Sequence, residues 1–344
     1  MTVSAQSTRN ALGCSATTAG ASLVALLAVV AVLAPWLAPF DPDEQLRPSI
    51  AASRPPLSTL LAVELRDGTV LLADELVRGD GALRLLARGQ EREVVPEQDV
   101  VRIAPRRYWL GTDRLGRDVL SRLVWGARTS LGVGVASAVL ALLLGILVGA
   151  AAALGRPTID EVLMRTVDGL LAFPALLLVL TLALFFEPGV AVLVVIIGGT
   201  AWMGLSRLVR AELLSLRSRP FVLAARSLGA SPLRLLFVHL LPNAWPTIAV
   251  AACLLVGDAI LVESAVSFLG LGVASDLPSW GRMVEHARGD LVGHWWMSTV
   301  PGVGIVATVL AFNLLGDGLR DAFDPRLRSS RRLSGKRAAV ARAS

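Results

Sequence analysis

Residues 129–155 read TSLGVGVASAVLALLLGILVGAAAALG, with no charged side chain between Arg128 and Arg156. Crossing the hydrocarbon core of a bilayer takes about 20 mostly apolar residues, and this stretch meets that length. Comparable charge-free runs lie on either side of it: Arg9 to Asp41, Asp168 to Glu187, Glu187 to Arg207, Arg234 to Asp258, and Asp290 to Asp317. They predict six spanning helices, near residues 19–38, 131–154, 164–186, 189–207, 245–267 and 298–316. The 54% apolar content of the 344 residues and the mean hydropathy of +0.64 agree with that reading, because soluble domains sit at roughly 45–50% apolar. The fold class expected is an all-α polytopic membrane protein.

The first run is read as a retained anchor rather than a cleaved signal. Only Arg9 precedes it, the apolar stretch Ala21 to Leu37 is long, and no small-residue exit stands before Pro39 and Asp41. Ala11-Leu12-Gly13-Cys14 has the look of a lipoprotein cleavage site but follows no apolar stretch. Cys14 and Cys253 make no disulfide framework, and His239, His286 and His294 lack ligand spacing, so metal chemistry is not expected.

Arginine placement orients the spans. Short cytoplasmic loops carry the excess of Lys and Arg. Arg207, Arg210, Arg217, Arg219, Arg226 and Arg234 follow the fourth span against the single acid Glu212. Arg326, Arg328, Arg331, Arg332, Lys336, Arg337 and Arg342 crowd the tail. With six spans, both segments share the cytoplasm with the N-terminal tail 1–18. The net charge of +6 comes largely from these stretches, and topology accounts for it without a nucleic-acid partner.

Residues 40–124 and 269–297 then lie outside. Within the first, the runs 59–65, 69–76 and 100–103 are punctuated by Arg66-Asp67-Gly68, Gly79-Asp80-Gly81 and Arg88-Gly89. Short strands between Gly/Asp turns predict a small β-rich insertion over about 57–103. It is too small for a large core of its own, so it is expected to lean on the membrane domain or on a partner.

The basic loop 208–243 contains Arg219-Pro220-Phe221-Val222-Leu223-Ala224-Ala225-Arg226-Ser227-Leu228-Gly229-Ala230-Ser231-Pro232, running on to Leu241-Pro242-Asn243. Pro220 suits a first helical turn, Gly229 a helix stop, and Ser231 a cap for a second short helix with Pro232 at its first position. Pro242 is expected to break the chain before the next span. By helix signals alone, this loop is an amphipathic connector.

The stretch resembles the EAA-type loop of binding-protein-dependent ABC importer permeases, roughly E-A-A-x-x-x-G followed by L-P. Ala224, Ala225, Gly229, Leu241 and Pro242 match, and Leu223 stands where that family has glutamate. Three further blocks resemble the dipeptide/oligopeptide/nickel (DppC/OppC-like) branch: Trp109 to Arg122 leading to Gly126 to Leu131; Glu263 to Val273 with Pro278-Ser279-Trp280-Gly281; and Ala311 to Asp321 with Asp324-Pro325-Arg326. The resemblance implies a type I importer (MetI-like) permease fold over 125–325 with a basic tail at 326–344, in a bacterial inner membrane. It implies that Leu223, Ala224, Ala225, Arg226, Ser227, Leu228, Gly229, Ala230 and Ser231, with the distal Leu241-Pro242, couple to an ATPase. The partners implied are two cytoplasmic ATPase subunits, a second related permease in a heterodimer, an extracytoplasmic solute-binding protein and membrane lipid. Short peptides are the expected cargo, with nickel chelates or another small solute as the alternative.

The chain's one lysine, Lys336, is followed by Arg337, so the G-x-x-x-x-G-K-[ST] phosphate loop is absent. ATP and Mg are therefore expected on the partner subunits, with no cofactor and no catalytic residues here. An acid inside a membrane faces a bundle interior or a watery path, so Asp258 is a candidate for the translocation path, alongside Asp168 and Pro174, whose spacing matches the branch's D…F-P. The blander reading makes Asp258 a hydrogen-bonding structural residue and places Glu263 at the outer boundary. Five residues apart on a helix, these two acids do not share a face. Gly145 and Gly149 form a GxxxG spacing, and Asp317, Arg320, Asp321, Asp324 and Arg326 are expected to form ion pairs. An ion-coupled secondary transporter would show paired broken helices around a midplane site; an intramembrane hydrolase would need an embedded nucleophile and base.

Overall fold

The computed structural model describes residues 2–323 apart from 47, 80, 275, 276 and 290, with side chains described from residue 17 onward. The basic tail 326–344 and the side chain of Cys14 lie outside the described residues. The helices are α1 (Thr2–Val32), α2 (Ala34–Leu37), α3 (Pro48–Ala51), α4 (Val119–Leu154), α5 (Pro157–Leu171), α6 (Ala175–Ala183), α7 (Val190–Arg217), α8 (Pro220–Ser227), α9 (Pro232–Arg234), α10 (Leu241–Phe268), α11 (Trp280–Ala287) and α12 (Trp296–Phe323). Between α3 and α4 run β1 (Ser58–Leu65), β2 (Val70–Ala73), β3 (Glu75–Gly79), β4 (Ala82–Ala87), β5 (Gln90–Pro96) and β6 (Val100–Tyr108).

Among the described residues, four helices are long and apolar enough to cross a membrane: α4, α7, the run Pro232–Phe268, and α12. The run predicted over 164–186 is not one straight span. It is the pair α5 and α6, bent by 81°. Pro174 stands at the break as the N-cap of α6, and its ring and missing N–H prevent the helix from continuing through it. The part of the first helix with described side chains, Thr17–Val32, is apolar; α2 follows it after one residue.

Small residues set the helix spacing. On Gly149 a Cβ would stand 2.6 Å from the Ser206 carbonyl oxygen and 2.9 Å from the Val209 side chain, and on Gly145 it would stand 3.0 Å from Leu205. The GxxxG pair thus sits in the α4–α7 interface, where close approach replaces the hydrophobic drive that lipid removes. Gly20 does the same for α1 against Leu314 and Leu315 of α12.

Two apolar clusters mark opposite ends of the bundle. One joins Ala150, Ala153, Val209 and Leu213 to Val222, Leu235, Leu236 and Leu240. The other joins Val119 and Ala127 to Trp280, Met283, Trp296 and Met297. Beside the second cluster, the Gly111–Arg122 block folds on its own acids. The Asp113 carboxylate accepts from the Leu115 and Arg117 backbone N–H groups, each at 2.9 Å, and from Arg117 Nε at 2.7 Å. Asp118 caps α4 by accepting from Ser121 N and Oγ, both at 2.7 Å. Arg122 Nη1 reaches back to Asp43 Oδ1 at 2.7 Å and to the Pro42 carbonyl at 3.0 Å.

The strands form two antiparallel three-stranded sheets, ordered β2-β1-β6 and β3-β4-β5. Val63 faces Leu71 on one side and Ile103 on the other, and Leu83 faces Val95. The sheets share a core of Val63, Leu71, Ala73, Leu83, Leu85 and Val95. A second cluster, Ile50, Ala51, Leu60, Leu72, Ala87 and Tyr108, ties them to α3. The Arg106 guanidinium stacks 3.9 Å above Phe40 and pairs with Glu44.

Candidate functional site

The loop between α7 and α10 is built around α8. Arg219 precedes Pro220, whose absent N–H costs nothing in a first turn. The helix closes in a Schellman motif: Gly229 N–H donates to the Arg226 carbonyl at 3.0 Å, and Ala230 N–H to the Ala225 carbonyl at 3.2 Å. This requires a left-handed residue, and Gly229 sits at φ +83°. The Ser231 hydroxyl then accepts from Arg234 N–H at 3.3 Å, starting α9 behind Pro232.

Pro242 does not break the chain as its type predicts. From Pro232 to Phe268 the helix is continuous, with a π turn over Leu235–Leu240. In that turn Leu241 N–H donates to the Leu236 carbonyl, one residue further back than in an α-helix. This wider turn makes room for a proline at the first turn of α10. Asn243 Nδ2 donates to the His239 carbonyl at 2.7 Å, which supplies a side-chain donor to that turn.

The loop has two unlike faces. Val222, Leu235, Leu236 and Leu240 are buried in the cluster that holds α4 and α7. Phe221, Leu223, Leu228 and Leu233 point away, Leu228 being 89% and Leu233 69% exposed. Arg219, Arg226 and Arg234 are exposed around them. A short helix with an apolar outer face, rimmed by cations and clamped at its inner face to two long helices, can pass a push from outside into the bundle.

The two acids of α10 lie in unlike surroundings. Glu263 is fully buried. Its carboxylate accepts from Ser267 Oγ at 2.8 Å and Ser130 Oγ at 3.1 Å, with Ser264 Oγ at 3.4 Å. Ser130 Oγ in turn accepts from Trp280 N–H at 3.3 Å. A carboxylate with several hydroxyl donors can be buried, which apolar periodicity does not reveal. Asp258, read as a structural hydrogen-bonding residue, is exposed on the opposite face, without hydrogen bond or ion pair among the described residues. Asp168 pairs with Arg207 at 3.4 Å. Asp317, Arg320 and Asp321 form no ion pair with one another, and Asp324 and Arg326 lie outside the described residues.

His286 of α11 is half-buried, with Nδ1 3.4 Å from Arg117 Nη2. Burial first, and the Arg117 charge second, hold its imidazole below the ordinary histidine range. Among the described residues there is no group of three or more His, Cys, Asp or Glu able to hold a metal.

Comparison with known proteins gives the lineage. Residues 129–329 match the model described as binding-protein-dependent transport system inner membrane component. Residues 16–56 match the N-terminal TM domain of oligopeptide transport permease C. The strands lie in the stretch between these two matches. The di/tripeptide transport system permease protein DppC of Pseudomonas aeruginosa is 37% identical over 311 residues, 90% of this chain and 88% of that protein. The dipeptide transport system permease protein DppC of Bacillus subtilis is 41% identical over 64% of this chain and 69% of its own length. For the oligopeptide transport system permease protein OppC of Bacillus subtilis the figures are 42%, 64% and 72%. On these matches the chain belongs to the binding-protein-dependent transport system inner membrane component family, the helical membrane permeases of ABC importers.

Proposed function

We propose that this chain is the permease subunit of an ATP-driven importer of short peptides, coupled to separate ATPase subunits through Pro220–Leu240. The observation that carries the coupling role is the two-faced loop: an inner face locked by Val222 and an outer apolar face at Phe221, Leu223 and Leu228. Leu223 adds apolar area where the family's glutamate would add a polar contact. The names of the relatives support peptides as cargo, with nickel chelates or another small solute as the alternative.

In this reading six spans cross the bacterial inner membrane, α1 with α2 making the first and the bent α5–α6 pair the third. Both termini and α8 face the cytoplasm, and the sheets face outward. A second, related permease completes the pathway, a solute-binding protein delivers the cargo, and ATP with Mg sits on the ATPase subunits. Closure of those subunits pushes α8, and the clamped ends of α4 and α7 rock the bundle between outward and inward openings. Asp258, a carboxylate on the outer face of a spanning helix, is too costly to leave in lipid and lines the pathway, where it meets the peptide's ammonium group. Asp168 and Pro174 shape the same route at the broken span. Asp258→Asn then depresses uptake of free peptides more than of their N-acetylated forms; equal loss for both removes this role.

The coupling role is tested at Gly229. No atom lies within 4 Å of a Cβ built there, so Gly229→Val acts through its φ of +83°, which a β-branched residue avoids. The expected result is an assembled transporter that hydrolyses ATP without matching uptake. Normal uptake per ATP contradicts the proposal.

A further inference from the structure

The α5 half of the broken span is attached to the rest of the chain in an unusual way. Over fifteen residues it buries one side chain, Val167. Between α5 and α7 lies an open cleft of about 440 Å³, lined by Met164, Asp168, Arg207, Leu208, Arg210 and Ala211. Side-chain interdigitation therefore does not hold these two helices together at this end. Charge does. Arg210 Nε and Nη2 donate to Asp160 Oδ1 and Oδ2 at 2.5 and 2.6 Å, a two-pronged contact, and two turns along α5 Arg207 Nη1 meets Asp168 Oδ1 at 3.4 Å.

The position of these pairs matters as much as their geometry. Arg210 lies two turns before the end of α7, which leads within three residues into α8. Arg217 Nη1, on the last turn, donates to the Ala153 carbonyl at 3.0 Å and pins α7 to α4. At its far end α5 stops at Ala172 and Phe173, where Pro174 opens the 81° bend. A half-helix hinged at one end, nearly unpacked along its length and gripped at the other by a planar guanidinium, follows whatever carries that guanidinium. Two parallel N–H···O bonds resist rotation as well as separation.

We propose that Asp160 and Arg210 are the positioning pair that makes α5 move with α7, so that displacement of α8 turns the cytoplasmic half of the broken third span about Pro174. Asp168–Arg207 is the secondary tie. The inference rests on the reading of α8 as the ATPase-docking helix and extends it to the broken third span.

The test uses the complete transporter in vesicles, measuring both peptide uptake and ATP hydrolysis. Asp160→Arg and Arg210→Asp each set like charges against one another, and the exchange of both restores an opposite pair. Each single variant is expected to keep ATP hydrolysis while uptake per ATP falls about tenfold, and the exchange to recover uptake to within about twofold, the signature of pairwise coupling. A merely structural role would lower assembly and both activities together. Should a single variant fail to assemble, Asp160→Cys with Arg210→Cys replaces it. Cross-linking these across the pair leaves uptake intact if the helices move as one, and abolishes it if they must part. Unchanged uptake per ATP in assembled single variants, or loss of uptake on cross-linking, overturns the proposal. Gly229→Val run in parallel separates the two levels: if it uncouples and the pair variants do not, only the linkage fails; if it transports normally, the docking reading fails first.

Discussion

Glu263 of α10 and Ser130 of α4 are joined by a 3.1 Å hydrogen bond in a site closed to solvent, and the same serine hydroxyl receives Trp280 N–H from α11. Three elements far apart in the chain therefore meet on one carboxylate and one hydroxyl. Buried polar networks are valuable only when fully satisfied, and this one leaves little slack: on Gly281 of α11 a Cβ would stand 2.6 Å from the Ser264 backbone.

Glu263→Ala should therefore lower the thermal stability of the purified transporter. Stranded hydroxyls and an unfilled volume cost about 2–4 kcal/mol together. Glu263→Gln keeps the shape and can still accept from Ser267, so its loss should be clearly smaller. An alanine variant melting with the wild type would show that the network holds nothing.

The α4–α7 seam gives a second expectation. Gly149→Leu has no room, with Ser206 and Val209 within 3 Å of its Cβ, and overpacking of this kind costs about 1–3 kcal/mol. Gly132, also in α4, meets nothing within 4 Å; Gly132→Ala should be neutral or stabilising, since alanine is the better helix former by about 1 kcal/mol. Equal melting shifts for the two would remove close approach as the reason for glycine at 149.

His286 predicts a pH dependence. Burial and Arg117 lower its folded pKa beneath the unfolded value, so between the two the unfolded chain binds more protons and stability rises with pH. The contribution is fully present above the unfolded value of about 6.5 and is lost as pH falls through it toward the folded one. Melting followed from pH 8 downward should decline less steeply for His286→Gln than for the wild type. Parallel curves would mean that His286 keeps its proton balance on unfolding.

How legible this was in the sequence depended on whether the signal was local. The strands were readable because Gly68, Gly81 and Gly89 sit at their turns with positive φ, and α8 because Pro220, Gly229 and Ser231 are local stop and start residues. Pro174 foretold the bend but not its 81°. Pro242 misled, because its type says break and only the π turn before it shows how a helix passes through. The burial of Glu263 was not legible even though Ser267 sits one turn on, at i+4, because another partner, Ser130, is 133 residues away. Arg210 and Asp160, 50 residues apart, carried no sequence signal for their pairing. Spacing shows what one helix can do, and only the fold shows which helices meet.

The coupling claim is tested most directly by what purifies with the chain. Isolated from native membranes in mild detergent, the wild-type protein should bring ATP-hydrolysing subunits with it. Leu228→Asp, which places a charge on the 89% exposed outer face of the loop and leaves the buried face intact, should yield a stable chain stripped of them. The contradicting result is a Leu228→Asp protein that retains its full complement of ATPase, or a wild-type chain that purifies alone and takes up peptide on an ion gradient.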